Sequence, residues 1–129
     1  MSKSRIIIIL SAILVAIVLV SCSRIGNIPD TANAVLTFKY NDSNIEVSLS
    51  EKESKTIRSI FNGRNLYTDT PSCGFSEEVS IRFGDMVFCI ACDNCAIIKY
   101  NDRYFSVSDN DREVINSIFE KYGGFFPCI

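Results

Sequence analysis

The sequence predicts an α+β fold: an antiparallel sheet built from two ββα repeats plus an inserted hairpin, with both helices on one face. The main observation is an internal repeat. Lys-Tyr-Asn-Asp at residues 39–42 recurs at 99–102, and each copy ends in Ser-Ile-Phe, at 59–61 and 117–119. Between the copies, residues 79–83 alternate apolar and polar side chains, as a half-buried strand does.

The two copies of the repeat differ slightly in length. Asn-Asp at residues 41–42 and 101–102 predicts a tight turn between two strands, because both residue types tolerate the left-handed backbone that such a turn requires. Val-Ser follows each turn, at 47–48 and 107–108, with an offset of 60 between the copies. The offset falls to 58 at Ser-Ile-Phe, so we expect the second copy to lack two residues around the start of its helix.

Both predicted helices carry start signals. Ser50 and Glu53 fit the S-x-x-E capping box, in which the serine side chain accepts a backbone hydrogen bond and the glutamate reaches back. Ser108 precedes Asp109 and Asp111, which place negative charge in the first turn, where the helix dipole favours it. The apolar residues that follow have helical spacing and should face the core: Ile57, Ile60 and Phe61, then Val114, Ile115, Ile118, Phe119 and Tyr122.

Residues 1–21 form a segment separate from this domain. Two basic residues precede an apolar run at 6–20, and the small Ser21 comes directly before Cys22. A charged start, a short apolar stretch and a small residue at the cut are the three parts of a secretory signal. The segment resembles a bacterial lipoprotein signal with its lipobox. This resemblance implies that Cys22 receives diacylglycerol and fatty acyl groups such as palmitate and becomes the new N-terminus.

An uncleaved transmembrane anchor is the alternative for the same segment. The apolar run at 6–20 is 15 residues long, whereas a helix that crosses the hydrocarbon layer needs about 20. An anchor would also leave Cys22 without a role. With cleavage, we expect a signal peptide at 1–21, a tether at 22–33 and one domain at 34–129. The lipid on Cys22 would hold this domain at the extracytoplasmic side of the cell membrane.

The domain itself carries no residue motif of a family with a known activity. Its element order resembles that of small secreted α+β domains, among them β-lactamase-inhibitor-like and PepSY-type modules. The whole chain resembles the small lipoproteins of low-GC bacteria. The order of elements implies a shared architecture but no functional residue, because unrelated functions recur on one fold.

Composition excludes several classes of function. Residues 1–21 hold two cations and no acid, so the acylated chain without them has a net charge of −4. A domain with this negative charge has no basic surface for nucleic acid. The sequence has no histidine, so it cannot form a Ser-His-Asp or Cys-His catalytic system or an HExxH zinc site. Its six glycines form no phosphate-binding loop. A hydrolase that uses carboxylates alone stays open, although no pair of acids has a spacing that favours it.

We therefore expect a non-catalytic domain without a cofactor that binds a protein or a small ligand at the cell surface. Five cysteines remain after Cys22, and all five are disulfide candidates, because cysteines outside the cytoplasm usually form disulfides. They are Cys73, Cys89, Cys92, Cys95 and Cys128. Since five is an odd number, one of them stays unpaired or bonds to another chain. The sequence leaves the connectivity open.

The spacing Cys89-x-x-Cys92-x-x-Cys95 supports an alternative function, that of a metal-binding or thiol-redox protein. These cysteines match the first three ligands of a bacterial ferredoxin cluster, and Cys128 could supply the fourth ligand of an iron–sulfur or zinc site. Cys92 and Cys95 also have the spacing of a thiol–disulfide oxidoreductase, although no cation lies between them. Against a metal site, residues 86–92 have the pattern of a strand, on which Cys89 and Cys92 point to opposite faces.

The residues between Cys92 and Cys95 favour a structural role for this pair. We expect Asp-Asn at residues 93–94 to form a two-residue hairpin turn, which places Cys92 opposite Cys95 near the distance of a disulfide. Either cysteine could instead bond to Cys73 or Cys128 and close a longer loop.

Overall fold

The computed structural model describes residues 3–21 and 24–127 and has an α+β architecture. Within these residues the elements follow in the order α1 (Lys3–Ser21), β1 (Val35–Tyr40), β2 (Ser43–Ser48), α2 (Glu51–Phe61), β3 (Ser80–Phe83), β4 (Met86–Ile90), β5 (Ile97–Tyr100), β6 (Arg103–Ser106) and α3 (Asp109–Lys121). The six strands form one antiparallel sheet in the order β2-β1-β3-β4-β5-β6. The predicted α+β class and antiparallel sheet are confirmed.

Helix α1 contains the apolar run of the N-terminal segment. Its large aliphatic side chains from Ile6 to Leu14 are 44% to 65% exposed. Among the described residues, no helix is both long enough and apolar enough to cross a membrane. Cys22 lies outside the described residues, and so does Cys128 near the other end of the chain.

Residues 24–33, which we expected to form a tether, pack against the domain. Ile25 and Ile28 are both 3% exposed and belong to the hydrophobic core. The N–H of Ile25 donates to the carbonyl oxygen of Arg64 (2.9 Å), and its own carbonyl oxygen accepts from the N–H of Gly63 (3.2 Å). The folded domain therefore includes residues 24–33, because two isoleucines bury enough apolar surface to hold an otherwise polar segment in place.

The two Asn-Asp turns form as predicted. Asn41, Asp42 and Asn101 have φ angles of 47°, 61° and 53°, which is the left-handed backbone that tight hairpins use. The first turn joins β1 to β2 and the second joins β5 to β6, each as an adjacent antiparallel pair. Between β3 and β4 the chain turns at Gly84, whose φ of 57° suits a residue without a side chain.

Helices α2 and α3 begin where the capping signals predict. The Ser50 side chain accepts from the N–H of Glu53 (3.2 Å), and the Glu53 carboxylate accepts from the N–H of Ser50 (3.0 Å). The Ser108 side chain accepts from the N–H of Asp111 (3.0 Å). The strand before each of these helices differs in length, because β2 has six residues and β6 has four.

The hydrophobic core joins the sheet to helices α2 and α3. The ring centroid of Phe61 in α2 lies 4.7 Å from that of Phe88 in β4 and 5.5 Å from that of Phe105 in β6. Phe119 of α3 meets Phe38 of β1 at 6.5 Å. The first three rings are 0% exposed, and a fully buried phenylalanine contributes about 1.5 to 3 kcal/mol to folding.

Glu53 also connects α2 with α3. Its carboxylate accepts hydrogen bonds from the ammonium group of Lys121 (2.6 Å) and from the hydroxyl of Tyr122 (2.8 Å). The bond from Lys121 is the largest effect, and with the bonds from Ser50 and Tyr122 it lowers the pKa of Glu53 to about 2 despite partial burial. The carboxylate therefore stays charged in the folded protein down to strongly acidic pH.

Strand β4 is shorter than predicted, and the connection after it is longer. The strand ends at Ile90 instead of Cys92, so residues 91–96 form a loop where we expected an Asp-Asn turn of two residues. Cys92 leaves the sheet because its N–H donates to the carbonyl oxygen of Gly74 (2.9 Å). The predicted placement of Cys92 opposite Cys95 across a two-residue turn is therefore wrong.

Candidate functional site

Two thiols and a carboxylate come together at the loop formed by residues 91–96. The Sγ atoms of Cys73 and Cys95 and a carboxylate oxygen of Asp93 all lie within 4.8 Å of one another. Asp93 and Cys95 belong to the loop, whereas Cys73 comes from the long segment between α2 and β3. In the part of the chain that the structure describes, this is the one cluster of cysteine and acidic side chains with such spacing. We name these three residues the thiol cluster.

The guanidinium group of Arg112 holds the loop at both ends. Arg112 lies on α3 and is 3% exposed. Its Nη2 donates to the carbonyl oxygen of Ala91 (2.8 Å), and its Nη1 donates to that of Cys95 (3.0 Å). The Nε donates to the side chain of Asn116 (2.8 Å), and the Phe126 ring centre lies 4.4 Å from the guanidinium carbon. One planar cation with several fixed donors therefore positions the backbone on both sides of the cluster.

The middle of the loop is held as well. The side-chain amide of Asn116 donates to the side-chain oxygen of Asn94 (2.7 Å). The Asp93 carboxylate accepts from the N–H of Cys95 at 3.4 Å. These hydrogen bonds within the protein fix the conformation of the loop, and they require no ligand.

Within the thiol cluster, the Cys95 thiol holds its proton more tightly than a free cysteine does. Hydrogen bonds with Cys73 and with Asp93 raise the pKa of Cys95 to about 12. The hydrogen bond from the Cys95 thiol is the main cause that lowers the pKa of Asp93. A redox enzyme needs the opposite arrangement, in which a cation or a helix N-terminus lowers the thiol pKa. The raised pKa thus disfavours Cys95 as the attacking thiol while it is hydrogen-bonded to Cys73 and Asp93.

Cys89 and Cys92 do not join the thiol cluster. Cys89 lies within β4 and is 8% exposed, and burial raises its pKa, with a further rise from the charge of Glu77. Cys92 is half-buried and packs against the hydrophobic core. Of the predicted metal ligands Cys89, Cys92, Cys95 and Cys128, the structure places only Cys95 in the cluster, while Cys128 lies outside the described residues. Within residues 24–127, no disulfide joins two cysteines.

A groove on one face of the sheet is the second candidate site. Its main part has a volume of about 460 Å³ and is lined by Phe75, Glu77, Asp85, Cys89, Lys99 and Asp102, among others. An adjoining part of about 300 Å³ shares Glu77 and Val87 with it, so the two parts are neighbours. Since Phe88 of β4 packs on helix α2, Val87 and Cys89 point to the other side of the sheet. We name the two parts together the sheet groove.

Negative charge dominates the sheet groove. The groove has two cations, Lys99 and Arg82, and more acids, which are Glu46, Glu77, Glu78, Asp85 and Asp102. Arg82 lies 3.8 Å from Glu46 in an exposed ion pair, and Glu46 therefore offsets part of the positive charge of Arg82. A surface with this balance favours a positively charged ligand or partner.

We did not predict the buried Arg112 or the sheet groove from the sequence. Arg112 occupies the apolar stripe of α3, three residues before Ile115 and seven before Phe119, so its position faces the core. A cation at a core-facing position indicates buried hydrogen-bond acceptors, and this signal was present in the sequence. Nothing in the spacing of Cys73 and Cys95 indicated their contact, because it forms between distant segments.

Comparisons with known proteins found no relative of this chain. No protein-family model, no curated protein and no solved structure matches it.

Proposed function

We propose that the chain is an exported bacterial lipoprotein whose domain is a non-catalytic binding module, anchored by lipid on Cys22 at the extracytoplasmic side of the cell membrane. The observation that carries this proposal is the N-terminal segment, in which Ser21 and Cys22 follow an apolar run. Helix α1 supports it, because its exposed aliphatic side chains from Ile6 to Leu14 require a membrane or another apolar environment, or removal from the mature chain.

Metabolic labelling tests the lipid anchor. The full-length chain is expressed in a bacterium that is fed an alkyne analogue of palmitate, and its N-terminal peptide is identified by mass spectrometry. We expect the label on Cys22 and a mature chain that begins there. Cys22→Ser should abolish both labelling and cleavage, whereas the matched control Cys92→Ser should leave them unchanged. An unlabelled wild-type chain that retains Met1 would contradict the proposal.

The sheet groove is the surface that we propose for binding. Its excess of acidic side chains suits a partner or ligand with positive charge. Asp85 and Asp102 are exposed in the two turns that border the groove. No histidine is available for the common catalytic systems, which favours binding over catalysis.

Photo-crosslinking on intact cells tests this surface. A photoreactive residue at Asn101, in the groove, should give a specific crosslinked product, whereas one at Glu120, exposed on α3, should not. Asp85→Lys combined with Asp102→Lys should reduce the product severalfold, because it reverses the charge of the groove. Equal products from both positions, or a product that survives the charge reversal, would place the binding surface elsewhere.

We also propose that the domain consists of two ββα units and an inserted hairpin, with both helices on one face of the sheet. Equivalent backbone bonds support the two units: the N–H of Leu49 donates to the carbonyl oxygen of Ala34 (2.8 Å), and that of Val107 donates to Ala96 (3.0 Å). Each of these bonds directly precedes a helix cap. Spin labels on α2 and α3 test whether both helices lie on one face of the sheet. A distance between the labels that requires the sheet to lie between the two helices would contradict this arrangement.

The alternative function is that of a metal-binding or thiol-redox protein. The observation that favours it is the thiol cluster, because two thiolates and a carboxylate are ligand types that zinc accepts. Metal analysis of the purified chain, together with alkylation, distinguishes the two functions. One tightly bound zinc ion that protects Cys73 and Cys95 from alkylation would favour the alternative, and a metal-free chain would favour the binding module.

A further inference from the structure

The two segments that carry Cys73 and Cys95 are held together by contacts that do not involve sulfur. Gly74, the neighbour of Cys73, accepts a hydrogen bond from the N–H of Cys92 (2.9 Å), which belongs to loop 91–96. On the other side, Arg112 donates to the carbonyl oxygen of Cys95 (3.0 Å). The backbone near each cysteine is thus fixed by hydrogen bonds, and the two Sγ atoms lie within 4.8 Å of each other as a result.

We propose that Cys73 and Cys95 form an intramolecular disulfide that fastens one wall of the sheet groove to loop 91–96. The occurrence of this bridge in the cell rests on the proposed export, because disulfides persist outside the reducing cytoplasm. A disulfide requires a sulfur–sulfur distance of about 2 Å. Both cysteines are half-buried, so their side chains are not enclosed by the core and can rotate towards each other.

The oxidant is a second disulfide, either a small molecule or an oxidising protein. The Cys73 thiolate attacks a sulfur of that disulfide, which forms a mixed disulfide on Cys73 and releases one thiolate. This step removes the Cys73 thiol, whose hydrogen bond is the largest cause of the raised pKa of Cys95. Cys95 then loses its proton and attacks the Cys73 sulfur of the mixed disulfide, which releases the second thiolate. Two electrons pass from the two cysteine sulfurs to the external disulfide, and the two cysteine protons end on the two released thiols.

The other cysteines of the described domain are less suited to this reaction. Cys89 is 8% exposed within a central strand, where an external disulfide has little access to its sulfur. Cys92 packs against the core and is not part of the cluster that brings Cys73 and Cys95 together. The pair in the thiol cluster is therefore the accessible dithiol.

The bridge would act on the sheet groove through the residues that follow Cys73. Phe75 and Glu77 line the groove, and the Phe75 ring packs on Tyr104 of β6 with a centroid distance of 5.4 Å. Without the bridge, the segment is attached to loop 91–96 by the hydrogen bond to Gly74. Formation of the bridge should therefore rigidify this wall of the groove, and reduction should loosen it.

Peptide mapping after controlled oxidation tests the pairing. The purified full-length chain is reduced, incubated with oxidised glutathione without metal ions, and digested under non-reducing conditions. We expect a peptide that links Cys73 to Cys95 and is two hydrogens lighter than the two reduced peptides together. Either serine variant of the pair should remove this peptide, whereas Cys89→Ser should retain it. A link from Cys95 to Cys92 or Cys128, or full alkylation of both thiols, would overturn the proposal.

Hydrogen exchange tests the effect on the groove. Reduction of the bridged chain should increase exchange at the amide of Cys92 by about tenfold, because its partner Gly74 becomes mobile. Cys89→Ser should show the same increase, and Cys73→Ser should exchange fast before and after reduction. Equal protection in the oxidised and reduced chains would overturn the proposed rigidification of the wall.

The outcome is separable from that of the lipid-labelling experiment. Oxidation of the purified chain does not depend on its location in the cell. A chain that forms the bridge but carries no lipid would contradict the lipoprotein proposal alone. A lipidated chain with both thiols unreactive towards glutathione, or with zinc bound between them, would overturn the bridge alone.

Discussion

Replacement of Arg112 by alanine should destabilise the domain by about 3 to 4 kcal/mol. Arg112 is 3% exposed and donates to the carbonyl oxygens of Ala91 (2.8 Å) and Cys95 (3.0 Å). A hydrogen bond from a charged donor contributes about 1.5 to 3 kcal/mol, and a cation–π contact such as that with Phe126 adds about 0.5 to 1 kcal/mol. Because Cys95 is half-buried, water can replace part of the lost bond there, so the expected loss lies below the sum of the upper values.

Urea unfolding followed by circular dichroism measures this loss. Arg112→Lys keeps the charge but lacks the planar fork of donors that matches both carbonyl groups, so it should lose about half as much. The matched control is Arg82→Ala, which removes an exposed ion pair with Glu46 at 3.8 Å and should lose about 0.5 kcal/mol or less. A loss below about 1 kcal/mol for Arg112→Ala, or equal losses for the two alanine variants, would refute the role of Arg112 in holding the loop.

Three further contacts give measurable expectations by the same unfolding assay. Glu53→Gln should cost about 1 to 2 kcal/mol at pH 7. The folded-state pKa of Glu53 is lowered to about 2. The loss of stability in Glu53→Gln should therefore be complete above about pH 5 and should disappear as the pH falls towards about 2. The control Glu51→Gln should change stability by about 0.5 kcal/mol or less at any pH. Phe88→Ala should cost about 3 to 5 kcal/mol, because its 0% exposed ring fills the core between α2 and the sheet; a loss near 1 kcal/mol would contradict this packing. In the oxidised chain, Cys73→Ser should cost about 3 kcal/mol by removing the bridge to Cys95, and the same loss under reducing conditions would argue for a role unrelated to a disulfide.

The parts of the fold that depend on neighbouring residues were predictable from the sequence. The capping box of Ser50 and Glu53 forms within one helical turn, so its three-residue spacing contains all the information that it requires. The left-handed backbone of Asn41 and Asn101 is likewise a property of the residue and its adjacent strands. Elements of this kind fix where the strands and helices lie along the chain.

The loop that carries the thiol cluster was not predictable, because distant residues decide its conformation. Arg112 donates hydrogen bonds to the carbonyl oxygens of Ala91 and Cys95. These bonds hold the loop in a conformation that differs from a two-residue hairpin. A short turn is favourable for the local sequence, but the contacts with α3 and with Gly74 outweigh it. The partner of Cys95 depends on the same tertiary contacts, which is why the spacing of the cysteines alone left the pairing open.

The packing of Ile25 and Ile28 has a mechanical consequence for a lipidated chain. If Cys22 carries lipid as proposed, only three peptide units separate the acylated residue from the first buried isoleucine, a reach of about 10 Å at full extension. The domain would then lie close to the lipid headgroups, and the short linker would restrict its reorientation relative to the membrane. Such a short standoff limits its tilt, so one side would face the bilayer and the opposite side would be offered to molecules that arrive from outside.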